Sequence, residues 1–507
     1  MSRHADQCDV LVVGAGPAGS TAAQLLASWG WSVVLVHRAA PGRPTLAESL
    51  PASARKLFAF LGQLDRIEAA GFHPNEGNVA RWADASRVTR SADAGFHVSR
   101  GVFDQVLRDG AVAARARVVD AVVRRVEPGD PVEVTFAVGD HHLETCRARF
   151  VLDCSGRAGV VARHGLRRAD DRYRTLAIAA EWDCPAWPAD EHTRTLVESY
   201  RDGWAWSVPL STTRRQCTVM IESRSAKASG LRPDAVPLAT LYQQELAKSV
   251  ELSGRLASAT LASAPWPCDA SIYDSTRAAD EGVLLVGDAA SFIEPLSSAG
   301  VKKALLSAWR AAVVANTCLR HRALTGAALD LYVGRERQVY AECMRRSNGF
   351  FAEAANAYGT PFWSTRAADA TGILPAADDG DSFSPELSDA ALARDPDVRL
   401  AFDHLRASEH LRLRASDALR FESVAIIEGR EVVMRDALIV PGLDAPLQFA
   451  AGVNLPALAR LATACREVPA LIAAYHAQVG PVPLTGLLTG LSLLVARHAL
   501  VAEASAS

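Results

Sequence analysis

The sequence predicts an α/β chain in which a parallel-sheet domain of Rossmann type carries an inserted antiparallel-sheet domain, with a separate α+β module after it. Three observations predict this. A strand–glycine turn–helix–strand unit occupies residues 9–36, two short apolar strands recur far downstream near residues 150 and 284, and residues 375–397 are rich in Asp, Ser, Pro and Gly. Strands of one sheet spaced so widely imply that another domain is threaded between them. A length of 507 residues also exceeds one simple core, so two or three domains are expected.

The elements follow in order. Asp9–Val13 is a continuous apolar run, read as a buried parallel strand, and Gly14-Ala-Gly-Pro-Ala-Gly19 opens a helix over Ser20–Trp29. Gly30 stops that helix and Ser32–Val36 is the second strand, completing a βαβ unit. Phe150–Leu152 and Val283–Val286 are further buried strands that run into Gly/Asp turns. Thr195–Pro209 and Gln216–Ile221 are β-rich and joined by a polar turn at 211–215. Val301–Leu324 and Leu329–Tyr358 read as helices, and the stretch with Asp378, Asp379 and Asp381 as a linker. Beyond it come strands near Glu431–Met434 and Leu447–Ala450, then helices over Leu455–Ala464, Val468–Val479 and Leu484–Ala499, with helical pattern ending near Val501.

Composition narrows the function classes. The chain is 49% hydrophobic and 22% charged, ordinary for a globular protein, and its net charge of -3 provides no basic field for nucleic acid. The nine cysteines contain no C-x-x-C pair, which argues against zinc, a redox dithiol or a secreted disulfide framework, and no metal site is expected. Met1–Gln7 is polar and leads straight into a strand. The apolar stretch Gly486–Ala502 is broken by Arg497 and His498 and is shorter than the ~20 residues a spanning helix needs. No membrane partner is expected, and the cytoplasm is the expected compartment.

The glycine fingerprint carries the first chemistry. Gly14 permits a tight turn, Gly16 lets a pyrophosphate approach the backbone, and Gly19 lets the helix pack closely on the strand. Pro17 and Ala18 open the helix, whose amino terminus faces the phosphates with its positive dipole end. FAD and NAD share this fingerprint. The second feature is the run from Leu284 to Val301. Asp288 ends a strand and can hydrogen-bond a ribityl hydroxyl. The turn Pro295–Gly300, with Ser298, opens a helix at Val301 whose N–H groups can stabilise negative charge on a reduced flavin.

This pattern resembles the para-hydroxybenzoate-hydroxylase-like FAD superfamily, most closely its tryptophan-halogenase-like branch. Three further segments carry the resemblance over roughly residues 8–360. Glu48-Ser49-Leu-Pro51 is similar to the segment that passes the flavin. His97-Val-Ser-Arg100 with Phe103, Asp104 and Leu107 resembles a helix start whose Arg lies by the FAD phosphates and ribityl chain. Asp153-Cys-Ser-Gly-Arg157 resembles the D-x-S-G-R turn. The resemblance implies bound FAD on a glutathione-reductase-type fold. It places the FAD-binding domain in residues 1–375 (about 1–60, 96–165 and 275–325), with an interleaved substrate domain (about 61–95 and 166–274) and a helical segment at 326–375. A linker and helix follow at 376–419, then a C-terminal module at 420–507. One position departs: the second strand is followed by His37-Arg38 where an acid grips the adenosine ribose, so weaker FAD affinity is expected.

Gly203-Trp-Ala-Trp-Ser-Val-Pro209 resembles the W-x-W-x-I-P signature of flavin-dependent halogenases. Trp204 and Trp206 lie on one strand face, as core beside the flavin ring or as substrate pocket. The lysine census weighs more. A flavin halogenase needs a lysine by the substrate, soon after the segment matched by Glu48–Pro51. Here Lys56, Lys227, Lys248, Lys302 and Lys303 are the whole complement, and none falls between Lys56 and Lys227. Lys56 reads as a snorkelling helix residue. The expected activity is therefore FAD-dependent hydroxylation of an electron-rich, tryptophan- or indole-like aromatic through a flavin C4a-hydroperoxide. The expected substrate is an aromatic small molecule or a peptide-borne group, since in Glu48–Pro51, His97–Arg100 and Glu294–Leu305 the chain resembles the non-halogenating peptidyl-tryptophan hydroxylases of quinone-cofactor maturation. A tryptophan halogenase and a geranylgeranyl-reductase-like flavoprotein are the alternatives, and a non-catalytic chaperone the contrasting class. Electrons would come from transiently bound NAD(P)H or a supply of reduced flavin. No catalytic acid or base is assigned. Residues 420–507 resemble winged-helix-like modules that recognise leader peptides, which implies a peptide or protein partner; a helical cap or dimer contact is the other reading.

Overall fold

The computed structural model describes residues 7–39, 42, 44–139, 142–170, 172–223, 236–280, 282–367, 389–407, 411–417, 419–439, 446–465 and 467–504. Two compact units divide the chain, Met1–Asp379 and Gly380–Ser507.

In the first unit Gln7–Val13 pairs in parallel with Val33–His37 on one side and with His142–Asp153 on the other. Val10, Leu11 and Val12 are wholly buried, as a strand covered on both faces requires. The eight-stranded sheet runs Ala279–Asp280, Val283–Leu285, His142–Asp153, Gln7–Val13, Val33–His37, Arg117–Asp120, with Val132–Val138 and Val122–Glu127 joined to it. The strand expected at Phe150–Leu152 is twelve residues long. Its first seven residues, mostly exposed, pair antiparallel with Val132–Val138; its last four are all buried and pair in parallel. Only that second half has the apolar run that reads as a strand in isolation. The helix after the glycine turn spans Pro17–Ser28, one turn earlier than its apolar pattern suggests, because Pro17 is preorganised for the first helical position.

A nine-stranded sheet forms the second layer. Its path is Thr260–Leu261, Thr175–Asp183, Arg214–Glu222, Gly203–Pro209, Thr195–Tyr200, His73–Arg81, Val88–Ser99, Ala47–Leu50, with Trp266–Asp269 also on Thr175–Asp183. Residues 195–209 form two strands with a turn at Arg201-Asp202 rather than one run. Residues 47–50 and 96–99, assigned from sequence to the segments of the FAD-binding domain, pair with each other in this sheet. Helices Gly300–Arg320 and Thr325–Tyr358 pack together through the buried ion pair Arg310–Glu336 at 2.7 Å.

In the second unit Leu411–Ala415 pairs with Leu500–Ala504, and Arg420–Glu428 forms a hairpin with Glu431–Ile439. Helices Leu455–Ala464, Val468–Gln478 and Leu484–Ala496 enclose a core that includes Leu413, Leu438, Leu458, Leu471, Leu487 and Leu491. The chain end, expected to be helical to near Val501, is a strand from Leu500. Of the expected linker, residues 375–388 lie outside the described residues, and Asp389–Arg394 and Pro396–Ala407 are helices.

Candidate active site

A cavity of about 760 Å³ opens between the two sheets of the first unit, within the range of small-molecule sites. One end is built by the first strand–turn–helix. Gly14 has φ +97°, and a Cβ there would stand 2.5 Å from the Cys154 carbonyl oxygen. Gly19 does not line the cavity; a Cβ on it would lie 1.8 Å from the Gly14 carbonyl oxygen, so it sets how closely helix meets strand. Gly16 is the amino-terminal cap of a helix with no side-chain cap and no acid in its first turn. Its free N–H groups and positive dipole end remain available to an anion.

The site residues expected from sequence converge here with three exceptions. Gly14, Gly16, Pro17, Ala18, His37, Arg38, Glu48, Arg100, Trp206, Asp288, Pro295, Ser298, Gly300 and Val301 all line the cavity. Gly19 acts from behind, as described. Ser49 faces the other way, bonded to His97 Nδ1 at 2.7 Å and to Thr195 Oγ1 at 2.6 Å. Neighbouring residues of a strand point to opposite faces, so Glu48 and Ser49 could not both reach the cavity. Trp204 is 1% exposed and packs among Trp82, Trp206 and the Phe351–Trp363 cluster, so of the two roles read for it from sequence the substrate-pocket one is corrected and the core one stands.

The middle of the cavity is electrostatically organised. Arg100 makes a bidentate pair with Asp104 at 2.9 and 3.0 Å and reaches Glu48 at 3.5 Å. Burial pushes the Glu48 carboxyl above its ordinary range; Arg100 opposes this, and Asp288 and Asp104 add to it. His37 is held below the usual imidazole range by burial and by Arg108, which keeps it neutral. Asp288 sits in a tight turn after the strand Val283–Leu285, with its carbonyl accepting a bond from Tyr273 Oη at 2.6 Å. Ser298 lines the cavity at φ +49°, an uncommon conformation for a residue with a Cβ. The helix Gly300–Arg320 begins here uncapped by any side chain and with no acid in its first turn.

The far end is apolar: Ala177, Trp206, Met220, Ala270, Phe292 and Ile293 line it, with Thr218 and Cys268. Sequence reasoning missed most of this end, and it missed Arg108, Arg163 and Asp269. Trp206 and Thr218 are register partners on adjacent strands, a pairing visible only once the sheet is formed.

The family model for tryptophan halogenases matches residues 63–373, more than half of the chain. The chain belongs to the tryptophan halogenase family. Among its relatives, a tryptophan 2-halogenase of Chondromyces crocatus is 30% identical over 341 residues, covering 64% of this chain and 64% of the relative's own length. In fold the chain is similar to the flavin-dependent halogenase CmlS, at TM-score 0.75 and 23% identity over 99% of this chain and 97% of that one. It is similar also to QhpG, a peptidyl tryptophan dihydroxylase essential for tryptophylquinone cofactor biogenesis, at TM-score 0.68 and 22% identity over 97% and 99%. Another relative, a flavin-dependent halogenase of Armillaria mellea, is 30% identical over 348 residues, covering 61% of this chain and 65% of its own length, and FAD is the cofactor that the glycine fingerprint and the Asp288 turn imply. The cavity fits that cofactor: Gly16 leaves open the space a Cβ would fill, two uncapped helix amino termini meet there, and Asp288 presents a carboxylate between them. Among the described residues no helix is long and apolar enough to cross a membrane.

Proposed function

We propose that this enzyme is an FAD-dependent monooxygenase that hydroxylates an electron-rich aromatic group of tryptophan or indole type, on a peptide or as a small molecule. The observation that carries this reading is the cavity wall: among the described residues no lysine lines it. Lys56 is exposed on the helix Ser53–Phe60, and Lys248 pairs with Asp202 and Glu245 at the surface. Lys302 reaches Ser53 Oγ at 3.4 Å, and Lys303 is buried behind the Asp288 turn. Lys227 lies outside the described residues. Without an ammonium beside the substrate, halogen delivery loses the group that would hold it.

Reduced FAD, generated by NAD(P)H or supplied by a reductase, would provide oxygen activation. The chain's own residues would divide the remaining work. Gly14–Ala18 and Arg100 hold the phosphates and ribityl chain, and Glu48 and Asp288 bracket the middle. Trp206, Met220, Phe292 and Ala270 enclose a dry face against which an aromatic ring stacks and from which water is excluded. The second unit, with its own core and hairpin, is the candidate for holding a peptide or protein partner.

The named relatives are mostly halogenases, so the test must separate two transfers. Enzyme given reduced FAD, isotopically labelled dioxygen, bromide and a tryptophan-containing peptide or free indole is expected to yield product bearing one labelled oxygen. A brominated product without labelled oxygen would refute the reading in favour of a halogenase.

A further inference from the structure

Lys303 is wholly buried in the first turn of the helix Gly300–Arg320. Lysine almost never occupies such a position unless paired, because an ammonium out of water costs several kcal/mol in the absence of compensating partners. Its partners all belong to one five-residue turn. Nζ donates to the Gly287 carbonyl at 3.1 Å and to the Ser291 carbonyl, and it lies 3.5 Å from Asp288 Oδ1. The two ends of the turn thus accept two of the three donors of the ammonium, and its acid stands beside it as an ion pair without a hydrogen bond.

The rest of the turn is already anchored without this lysine. Gly287 N–H donates to Ser307 Oγ at 2.9 Å, Tyr273 holds the Asp288 carbonyl, and Ser275 holds the Ala290 carbonyl at 2.6 Å. Lys303 adds a charge directly behind Asp288. The Asp288 side chain is itself 32% exposed and lines the cavity, with Glu48, Arg100 and Asp104 among the charged residues of the same wall. From the neighbouring helix, Cys343 is the titratable group that senses Lys303; burial keeps its thiol high, and the lysine opposes that.

We propose that Lys303 is a positioning residue that neutralises Asp288. A carboxylate can then bond the ribityl chain without opposing the negative charge that reduction places on the flavin. This rests on FAD occupying the cavity and is independent of whether oxygen or halide is transferred. In a low-dielectric site, removing the ammonium leaves a bare carboxylate beside an electron-rich cofactor. Reduced FAD is penalised more than oxidised FAD.

The test compares anaerobic binding of oxidised and reduced FAD, together with the midpoint potential, in the full chain. Lys303→Gln keeps donors for the two carbonyls and loses the charge. It is expected to weaken reduced FAD at least tenfold more than oxidised FAD, a midpoint about 30 mV lower for a two-electron couple. Adding Asp288→Asn should restore the parental ratio, and Lys303→Arg should keep it. Asp288→Asn alone leaves the ammonium uncompensated and should shift the ratio toward reduced FAD; this arm stands even if Lys303→Gln does not fold. A parental ratio in Lys303→Gln, or a shift that survives Asp288→Asn, overturns the proposal. So does no shift in Asp288→Asn alone. Failure of the parent to bind either form of FAD would instead remove the cofactor reading beneath it.

Discussion

At the scale of single residues, one carboxyl held far from its ordinary chemistry beside the cavity is that of Glu294. It immediately precedes Pro295 and is 1% exposed. Burial pushes its carboxyl up to about 7, against the pull of Arg366, which is shared with Glu222 at 3.1 Å. The native state therefore holds this proton more tightly than the unfolded chain, whose carboxyl titrates near 4.5. Its contribution to stability is fully present below pH 4.5 and is lost as pH rises through about 7. The loss is on the order of 3 kcal/mol. Glu294→Gln should remove that decline, so urea unfolding free energies of parent and variant should diverge between pH 4.5 and 7. Parallel curves across that window would show that the carboxyl is already ionised in the folded protein.

Elements explain what the sequence made legible and what it hid. The strand–turn–helix at 7–28 was readable because its signal is local: continuous apolar residues, then glycines at fixed spacing, then Pro at the helix start. Gly19 carries a consequence for stability. Any Cβ there meets the Gly14 backbone, so Gly19→Ala must push the helix off the strand, an overpacking cost of about 1–3 kcal/mol. We expect an apoprotein melting temperature several degrees lower and FAD affinity reduced at least tenfold. Gly300→Ala is the control, since its Cβ meets nothing within 4 Å and the apoprotein should melt like the parent. Where orientation depended on pairing, local signals failed. Trp204 and Trp206 share a strand face, yet Trp82, distant in sequence, packs at 6.4 Å on Trp204 and at 6.0 Å on Phe350, while Trp206 is left on the cavity wall. Ser49 could have been excluded by strand alternation once Glu48 was chosen. Lys303 could not have been singled out, because nothing in G-V-K-K-A distinguishes a buried lysine from the partly exposed Lys302 before the helix has packed.

At the scale of the whole molecule, the cofactor cavity belongs entirely to one unit. Its lining runs from Val13 to Ala304, all within Met1–Asp379, whereas Gly380–Ser507 builds a core of its own around residues such as Leu458, Leu471 and Leu491. A ligand that binds only the native form of one unit stabilises that unit by RT ln(1 + [L]/Kd), about 2.7 kcal/mol at a hundredfold excess over Kd. Two separate cores should also unfold as separate cooperative steps. Calorimetry of the full chain is therefore expected to resolve two transitions, with added FAD moving one upward by a few degrees and leaving the other in place. A chain shortened to residues 1–379 should keep the FAD-responsive transition and lose the other. If both transitions rise together with FAD, the second unit must gain stability from the occupied cavity, and cofactor binding would then be coupled to the part of the chain proposed to hold a peptide or protein partner.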